Sequence, residues 1–200
     1  MLNVKNAEMA DLEQIMKIYR YAQDYMIKSG NPTQWGHFYP DADLIKSDID
    51  KNACKVIYDK DGIHGVFSVF DGAEPNYKHI EGGNWLNEEP YLTIHRLAGD
   101  GQVHGLFPCA LNYCKKISLN IRVDTHADNK TMQRLIEKNG FIKCGIIYVK
   151  NGTARIAYQR TNFRAARFAS ISLNTTRSAA RSVSSSVDRH LDNWQEIVER

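Results

Sequence analysis

Apolar and polar positions alternate with two different periods along most of this chain. Leu12, Ile15, Met16, Tyr19, Ala22 and Met26 repeat at helical spacing, with Gln14 three residues after Asp11 as in a capping box and Gly30 suited to the stop. Residues 42–51 predict a second short helix, and Leu106, Phe107, Ala110, Leu111, Cys114 and Ile117 a third. A fourth starts at Asp128 or Asn129, runs through Met132, Leu135 and Ile136, and ends at Gly140. Strands are predicted at 2–5, 55–58, 63–70, 91–98, 119–125, 144–149 and 153–158. Asp61-Gly62 and Asn151-Gly152 are hairpin turns, because both residues tolerate the positive φ that a tight turn imposes. Residues 31–40 and 71–89 read as loops. The sum is an α/β (α+β) domain, a mixed sheet with helices on its faces.

Composition narrows the class. The chain has 200 residues, 42% apolar and 24% charged, the balance of one globular domain. A net charge of +3, with no basic stripe interleaved with aromatics, predicts no nucleic-acid partner. No run approaches the roughly 20 apolar residues of a membrane span, and no apolar leader follows Met1, so no membrane role is expected. Cys54, Cys109, Cys114 and Cys144 form no CxxC pair, which fits a reduced, cytoplasmic setting; Cys109 and Cys114 fall on the stripe of the third helix and read as core.

The texture changes near residue 160. Residues 161–200 contain no lysine and are rich in arginine and serine. They read as an appended extension in which Val187, Leu191, Trp194 and Val198 suit a short amphipathic helix. The expected division is therefore a body over 1–160 and an extension over 161–200.

Chemistry concentrates between the strand at 91–98 and the next helix. Gly99, Gly101 and Gly105 let the backbone turn sharply, and the helix that follows aims unpaired N–H groups at the same loop. This is a ready anion site, suited to a pyrophosphate, although a Gly-rich connection with no ligand has the same composition. His95 lies on the adjoining strand and could serve as a base or as an ordinary sheet histidine. Asp124, His126 and Asp128 alternate, so an extended strand puts them on one face; a strand end running into a helix cap explains them as well, and no metal site is expected. Glu81, Glu88 and Glu89 could meet a cationic acceptor or face solvent, and Trp35, Tyr39 and Trp85 could wall its pocket or pack the core.

The element order, the turn Gln102-Val103-His104-Gly105-Leu106-Phe107 and the run from Asn129 to Glu137-Lys138-Asn139-Gly140-Phe141 resemble the GNAT family of acetyl-CoA-dependent N-acetyltransferases. Segments Gly30-Asn31-Pro32, Gln34-Trp35-Gly36, Glu81-Gly82-Gly83, Ile94-His95-Arg96 and Asp124-Thr125-His126 resemble a small bacterial subgroup of it. The resemblance spans about residues 1–160 and implies a mixed, mostly antiparallel sheet with helices on both faces. It implies acetyl-CoA as co-substrate, with Leu97 and Ala98 along the pantetheine arm, Gln102, Val103, His104, Gly105, Leu106 and Phe107 at the pyrophosphate, and Asn129 beside them. His95, Asp124 and His126 become candidate catalytic residues, and Trp35, Tyr39, Glu81 and Trp85 candidate acceptor contacts. The acceptor would be a primary amine of a small molecule or peptide. The sequence departs from the pattern at Phe107, where the family has a small residue, and at Ile136, where it has a tyrosine acid. A module that binds acyl-CoA without transferring the acyl group, or an interaction protein working through its extension, remains the alternative; a homodimer is left open.

Overall fold

The computed structural model describes residues 1–161. The helix expected near 187–198, with nearly all of the extension, lies outside the described residues. The order of elements is β1 (Asn3–Asn6), α1 (Leu12–Lys28), α2 (Ala42–Asp50), β2 (Cys54–Asp59), β3 (Gly62–Asp71), β4 (Leu92–Gly99), α3 (Leu106–Cys114), β5 (Ile121–Thr125), α4 (Lys130–Lys138), β6 (Ile142–Tyr148) and β7 (Ala154–Arg160). Single 3-10 turns occupy Met9–Asp11 and Pro75–Tyr77.

The strands form one sheet in the order β1-β2-β3-β4-β5-β7-β6. Every neighbouring pair is antiparallel except β4 and β5, which are parallel. Both expected hairpins form: β2 and β3 are joined through Lys60-Asp61, one residue earlier than expected, with Gly62 opening β3 opposite Asp59, and β6 and β7 are joined around Asn151-Gly152. Asn129 caps α4, its side chain accepting from Met132 N at 3.0 Å.

One cap and one boundary differ from the expectation. Asp11 does not cap α1 with its side chain; its carboxylate reaches back and accepts from Glu8 N at 3.0 Å, inside the 3-10 turn. The third helix stops at Cys114 and leaves Ile117 and Leu119 exposed. Ser118 Oγ accepts from Asn120 N at 3.1 Å, a local turn that competes with both helix and strand.

Strand alternation splits the core between the two faces. One face carries Ile57, Phe67, Leu92, Ile94, Val123, Ile156 and Tyr158 under α3 and α4. The opposite face carries two separate apolar groups. Val56, Val66 and Ala98 pack beneath α1 and α2, while Ala157 and Ile147 pack against Tyr77, Trp85 and Tyr91 from the loop before β4. Helices therefore cover both faces, and between the two apolar groups on the second face runs a polar seam.

The seam begins with a buried ion pair. Asp48 of α2 accepts from Arg96 of β4 and from Ser68 Oγ at 2.7 Å, and only 2% of Asp48 is exposed. Asp48→Ala is expected to cost about 3–5 kcal/mol, because it strands the guanidinium without its counter-charge. Urea denaturation measures it; a cost below about 1 kcal/mol would mean that water compensates the arginine.

Candidate active site

β4 and β5 stay together only briefly. Their pairing comprises Leu92 with Ile121 and Thr93 with Arg122. Beyond these, β5 continues alongside β7 as far as Thr125, and β4 continues alongside β3 as far as Gly99. From Ile94 onward β4 thus has no strand partner on its β5 side. Backbone N–H and C=O groups in such a gap need partners, and an extended ligand can supply them.

A bulge lies in the unpaired stretch of β4. Ser68 opposes His95 and Val66 opposes Ala98, so Phe67 faces both Arg96 and Leu97. Arg96 takes the extra position with φ of +54°, left-handed and unusual for a non-glycine residue. Its surroundings hold it there. Its carbonyl accepts from Tyr19 Oη at 3.1 Å, its guanidinium bonds Asp48 and Tyr39 Oη, and Phe70 lies 5.3 Å beneath it.

At the end of β4 the glycine-rich loop leads into α3. Gly105 is the N-cap residue with φ of +79° and offers no side-chain cap. Among the described residues, the amides of Val103, His104, Gly105, Leu106 and Phe107 have no hydrogen-bond partner. Pro108 follows and brings no N–H. Five consecutive free amides at a helix start form an anion cradle. The Leu106 side chain fills the space that a Cβ on Gly99 would take, so the helix start sits close against β4.

On the polar seam, five residues from four segments meet. His95 Nε2 lies 3.2 Å from Glu74 Oε2, and its Nδ1 lies 3.9 Å from Asp124 Oδ1. Tyr77 Oη donates to Asp124 Oδ1 at 2.7 Å, and Arg155 Nε stands 4.0 Å from Asp124 Oδ2. The hydrogen bond from His95 holds the Glu74 carboxyl below the usual range, so it is ionised near neutral pH. Burial, reinforced by Asp124, pushes the Tyr77 phenol well above its ordinary value. Tyr77 is therefore a fixed donor to Asp124.

Among solved structures, an acetyltransferase of the GNAT family from Streptococcus agalactiae is 30% identical, with a TM-score of 0.74 over 82% of this chain and 96% of its own. The chain belongs to the GNAT family of acetyltransferases. A putative acetyltransferase from Staphylococcus aureus is 28% identical, with a TM-score of 0.58 over 79% of this chain and 97% of its own. A putative acetyltransferase from Salmonella typhimurium, solved with its cofactor acetyl-CoA, shares the fold at 15% identity, with a TM-score of 0.54 over 82% of this chain and 96% of its own. No protein-family model and no curated protein matches the sequence.

The residues singled out from the sequence divide on this GNAT scaffold. His95 and Asp124 come together on the seam, whereas His126 sits beyond the end of β5, its Nδ1 3.3 Å from both the Asp128 amide and carboxylate. Asn129 is engaged as the α4 cap and donates to Gln34 Oε1 at 3.1 Å. The Phe107 ring is buried against Phe141, which leaves its amide as the part facing the loop. Ile136 is fully buried in the core under α4. Trp35 and Tyr39 pack edge-on near Arg96, with Gln23 donating to the Tyr39 carbonyl at 2.9 Å. Trp85 donates from its indole to the Tyr77 carbonyl, and the Arg122 guanidinium is 4.0 Å from its ring. Glu81 pairs its backbone with Ile146 at the sheet edge and accepts from Tyr148 Oη, apart from the His95 group. Cys54 and Cys114 are thiols that burial pushes up to about 12.

Glu74, Tyr77 and Arg155 carry no sequence signal that points to His95. Glu74-Pro75-Asn76 marks a turn and nothing more, and the turn meets β4 only through the fold.

A second histidine secures the amide loop. His64 Nδ1 lies 2.8 Å from Asp100 Oδ2 and Nε2 lies 3.0 Å from Asp59 Oδ1. Asp100 in turn accepts from Gln102 N at 2.9 Å. Burial opposes the charge on His64, but the hydrogen bonds and charges of the two aspartates together outweigh it and raise the imidazole pKa. A neutral ring donates to only one carboxylate. The stabilisation is therefore whole below an ordinary histidine pKa of about 6.5 and fades as pH rises through the raised folded value. His64→Gln should lower the thermal midpoint most at about pH 5.5 and less at about pH 9. A deficit that does not change with pH would contradict the charged bridge.

Proposed function

We propose that the chain is an acetyl-CoA-dependent N-acetyltransferase acting on the primary amine of a small molecule or peptide. The free amides from Val103 to Phe107, at the end of a β4 that lacks a partner on its β5 side, carry this reading. The cradle suits the diphosphate, and in this reading the Gln102 side chain and Asn129 would also contact the cofactor. The open edge of β4 at Leu97 and Ala98 suits an extended pantetheine arm. Acetyl-CoA supplies an activated acyl carbon and a thiolate leaving group.

The seam supplies the rest. Asp124, already held by Tyr77, offers its carboxylate to the incoming ammonium, and His95 takes the proton that must leave before the amine can attack. Attack forms the C–N bond, the C–S bond breaks, and the thiolate takes a proton from solvent, because Ile136 has none to give. Open amides around the Arg96 bulge would stabilise the oxyanion. In this reading Trp35 and Tyr39 on one side, and Tyr77 with Trp85 from the loop before β4 on the other, would bound the acceptor. The four free thiols fit a reduced, cytoplasmic setting.

The apolar Ile136 favours a second reading, a module that binds acyl-CoA without transfer. Calorimetric titration with acetyl-CoA followed by thiol release on a panel of primary amines separates the two. Gly105→Val should weaken acetyl-CoA about tenfold, since it strains φ and obstructs the cradle. Unchanged affinity would move the diphosphate elsewhere. His95→Gln should keep acetyl-CoA affinity within about twofold and lose about a hundredfold in kcat. Full turnover in that variant would remove His95 from the chemistry.

A further inference from the structure

The side chain of His95 meets a carboxylate from outside β4. Glu74 stands at the start of the 3-10 turn Pro75–Tyr77 and divides its carboxylate between two partners. Oε1 accepts from Asn76 Nδ2 at 2.7 Å and from Asn76 N at 3.2 Å. Oε2 faces His95 Nε2. The Glu74 amide donates to Tyr91 Oη at 3.1 Å, which fixes the backbone as well. The imidazole lies between Phe70, 5.8 Å away by ring centres, and Tyr77, 6.2 Å away. It therefore has little freedom to turn.

An ionised carboxylate can only accept a hydrogen bond, so the nitrogen facing it must donate. We propose that Glu74 is a positioning residue: it holds His95 as the Nε2–H tautomer and thereby makes Nδ1, the atom turned toward Asp124, the proton acceptor. This rests on the reading of His95 as the base. At 3.9 Å, Nδ1 and Asp124 Oδ1 are too far apart to bond each other, and both are open to one acceptor nitrogen. That nitrogen donates one hydrogen to Asp124. A second N–H bond of the ammonium breaks, its electron pair stays on nitrogen, the proton joins Nδ1, and the third hydrogen stays in place. The resulting imidazolium is then flanked by the carboxylates of Glu74 and Asp124.

The same contacts make Glu74→Gln informative although it scarcely alters shape. Asn76 presents two donors to the Oε1 position, so the glutamine oxygen must settle there. Its NH₂ then faces His95 Nε2, a donor where an acceptor stood, and the ring must hold its proton on Nδ1 instead. Nitrogen-15 spectra of the full-length chain labelled in histidine read the tautomer directly, with His95 assigned by its loss in His95→Gln. They are recorded without acceptor, at a pH where the ring carries one proton. The expected result is Nε2–H in the wild type and Nδ1–H in Glu74→Gln. With acetyl-CoA and the best amine of the panel, Glu74→Gln should lose about a hundredfold in kcat, with the KM for acetyl-CoA within about twofold. An Nδ1–H ring in the wild-type chain overturns the proposal, and this needs no variant to fold. An unchanged tautomer or unchanged turnover in Glu74→Gln, while His95→Gln is inactive, also overturns it and leaves the base reading standing. Full turnover in His95→Gln would instead defeat the base reading itself.

Discussion

Everything at this site depends on where β4 is allowed to lose a neighbour. Two residues of parallel pairing hold β4 to β5, and then the strands follow different partners. A parallel junction between antiparallel halves is the natural place for this, since each strand is already committed on its other side. The apolar groups reinforce the parting. One face of the sheet has a continuous core, whereas the other has two separate cores, under α1 and α2 and under the loop before β4. The strip between them cannot be apolar without merging the two, and it is there that Asp48, Arg96, His95, Asp124 and Arg155 collect.

That strip is ordered by pairing. Asp48 neutralises Arg96, Glu74 meets His95, and Tyr77 donates to Asp124. Buried ionic groups add little to stability beyond offsetting their own desolvation, but they tolerate few alternative arrangements. The loop before β4 is pinned accordingly. Arg122 lies between Trp85 and Tyr91, 4.0 Å and 3.8 Å from their rings, and its Nη2 donates to the Asn87 carbonyl at 2.7 Å. Gln159 bonds Asn87, Asn120 and the Leu86 amide. This part of the sheet is thus roofed by a long irregular segment whose polar contacts converge on two strands.

The sequence displays the parts of this fold that obey a local rule. The hairpins around Asp61 and Asn151-Gly152, the Asn129 cap and the stripe of α3 each rest on residues close in the chain, and all form. The α1 cap and the end of α3 depart from their local rules where a short polar side chain bonds nearby backbone instead, although α1 itself starts after Asp11 as the sequence pattern predicts. At the site, strand period places Asp124 on one face of β5 but groups it with His126 and Asp128, whereas the structure brings it to His95 of β4 and leaves His126 beyond the strand end. Glu74, Tyr77, Arg155 and Asp48 were not legible, since their roles arise from contacts between elements distant in the chain. Glu81 shows the converse. A carboxylate in the right loop looked suitable, but backbone pairing to Ile146 carries it to the outer edge of the sheet.

The extra residue in β4 has an evolutionary corollary. With Arg96 present, Leu97 joins the face under α3 and α4 while Ala98 joins the face under α1 and α2. Deleting Arg96 would pair Phe67 with Leu97 alone and leave Leu97 and Ala98 on the faces they hold now, so the ladder would close without turning the glycine loop. A deletion within the regular part of β4 would instead invert everything after it. Arg96 thus marks a point where the strand can change length and keep its core register. Such a change would forfeit the left-handed kink and the guanidinium paired with Asp48.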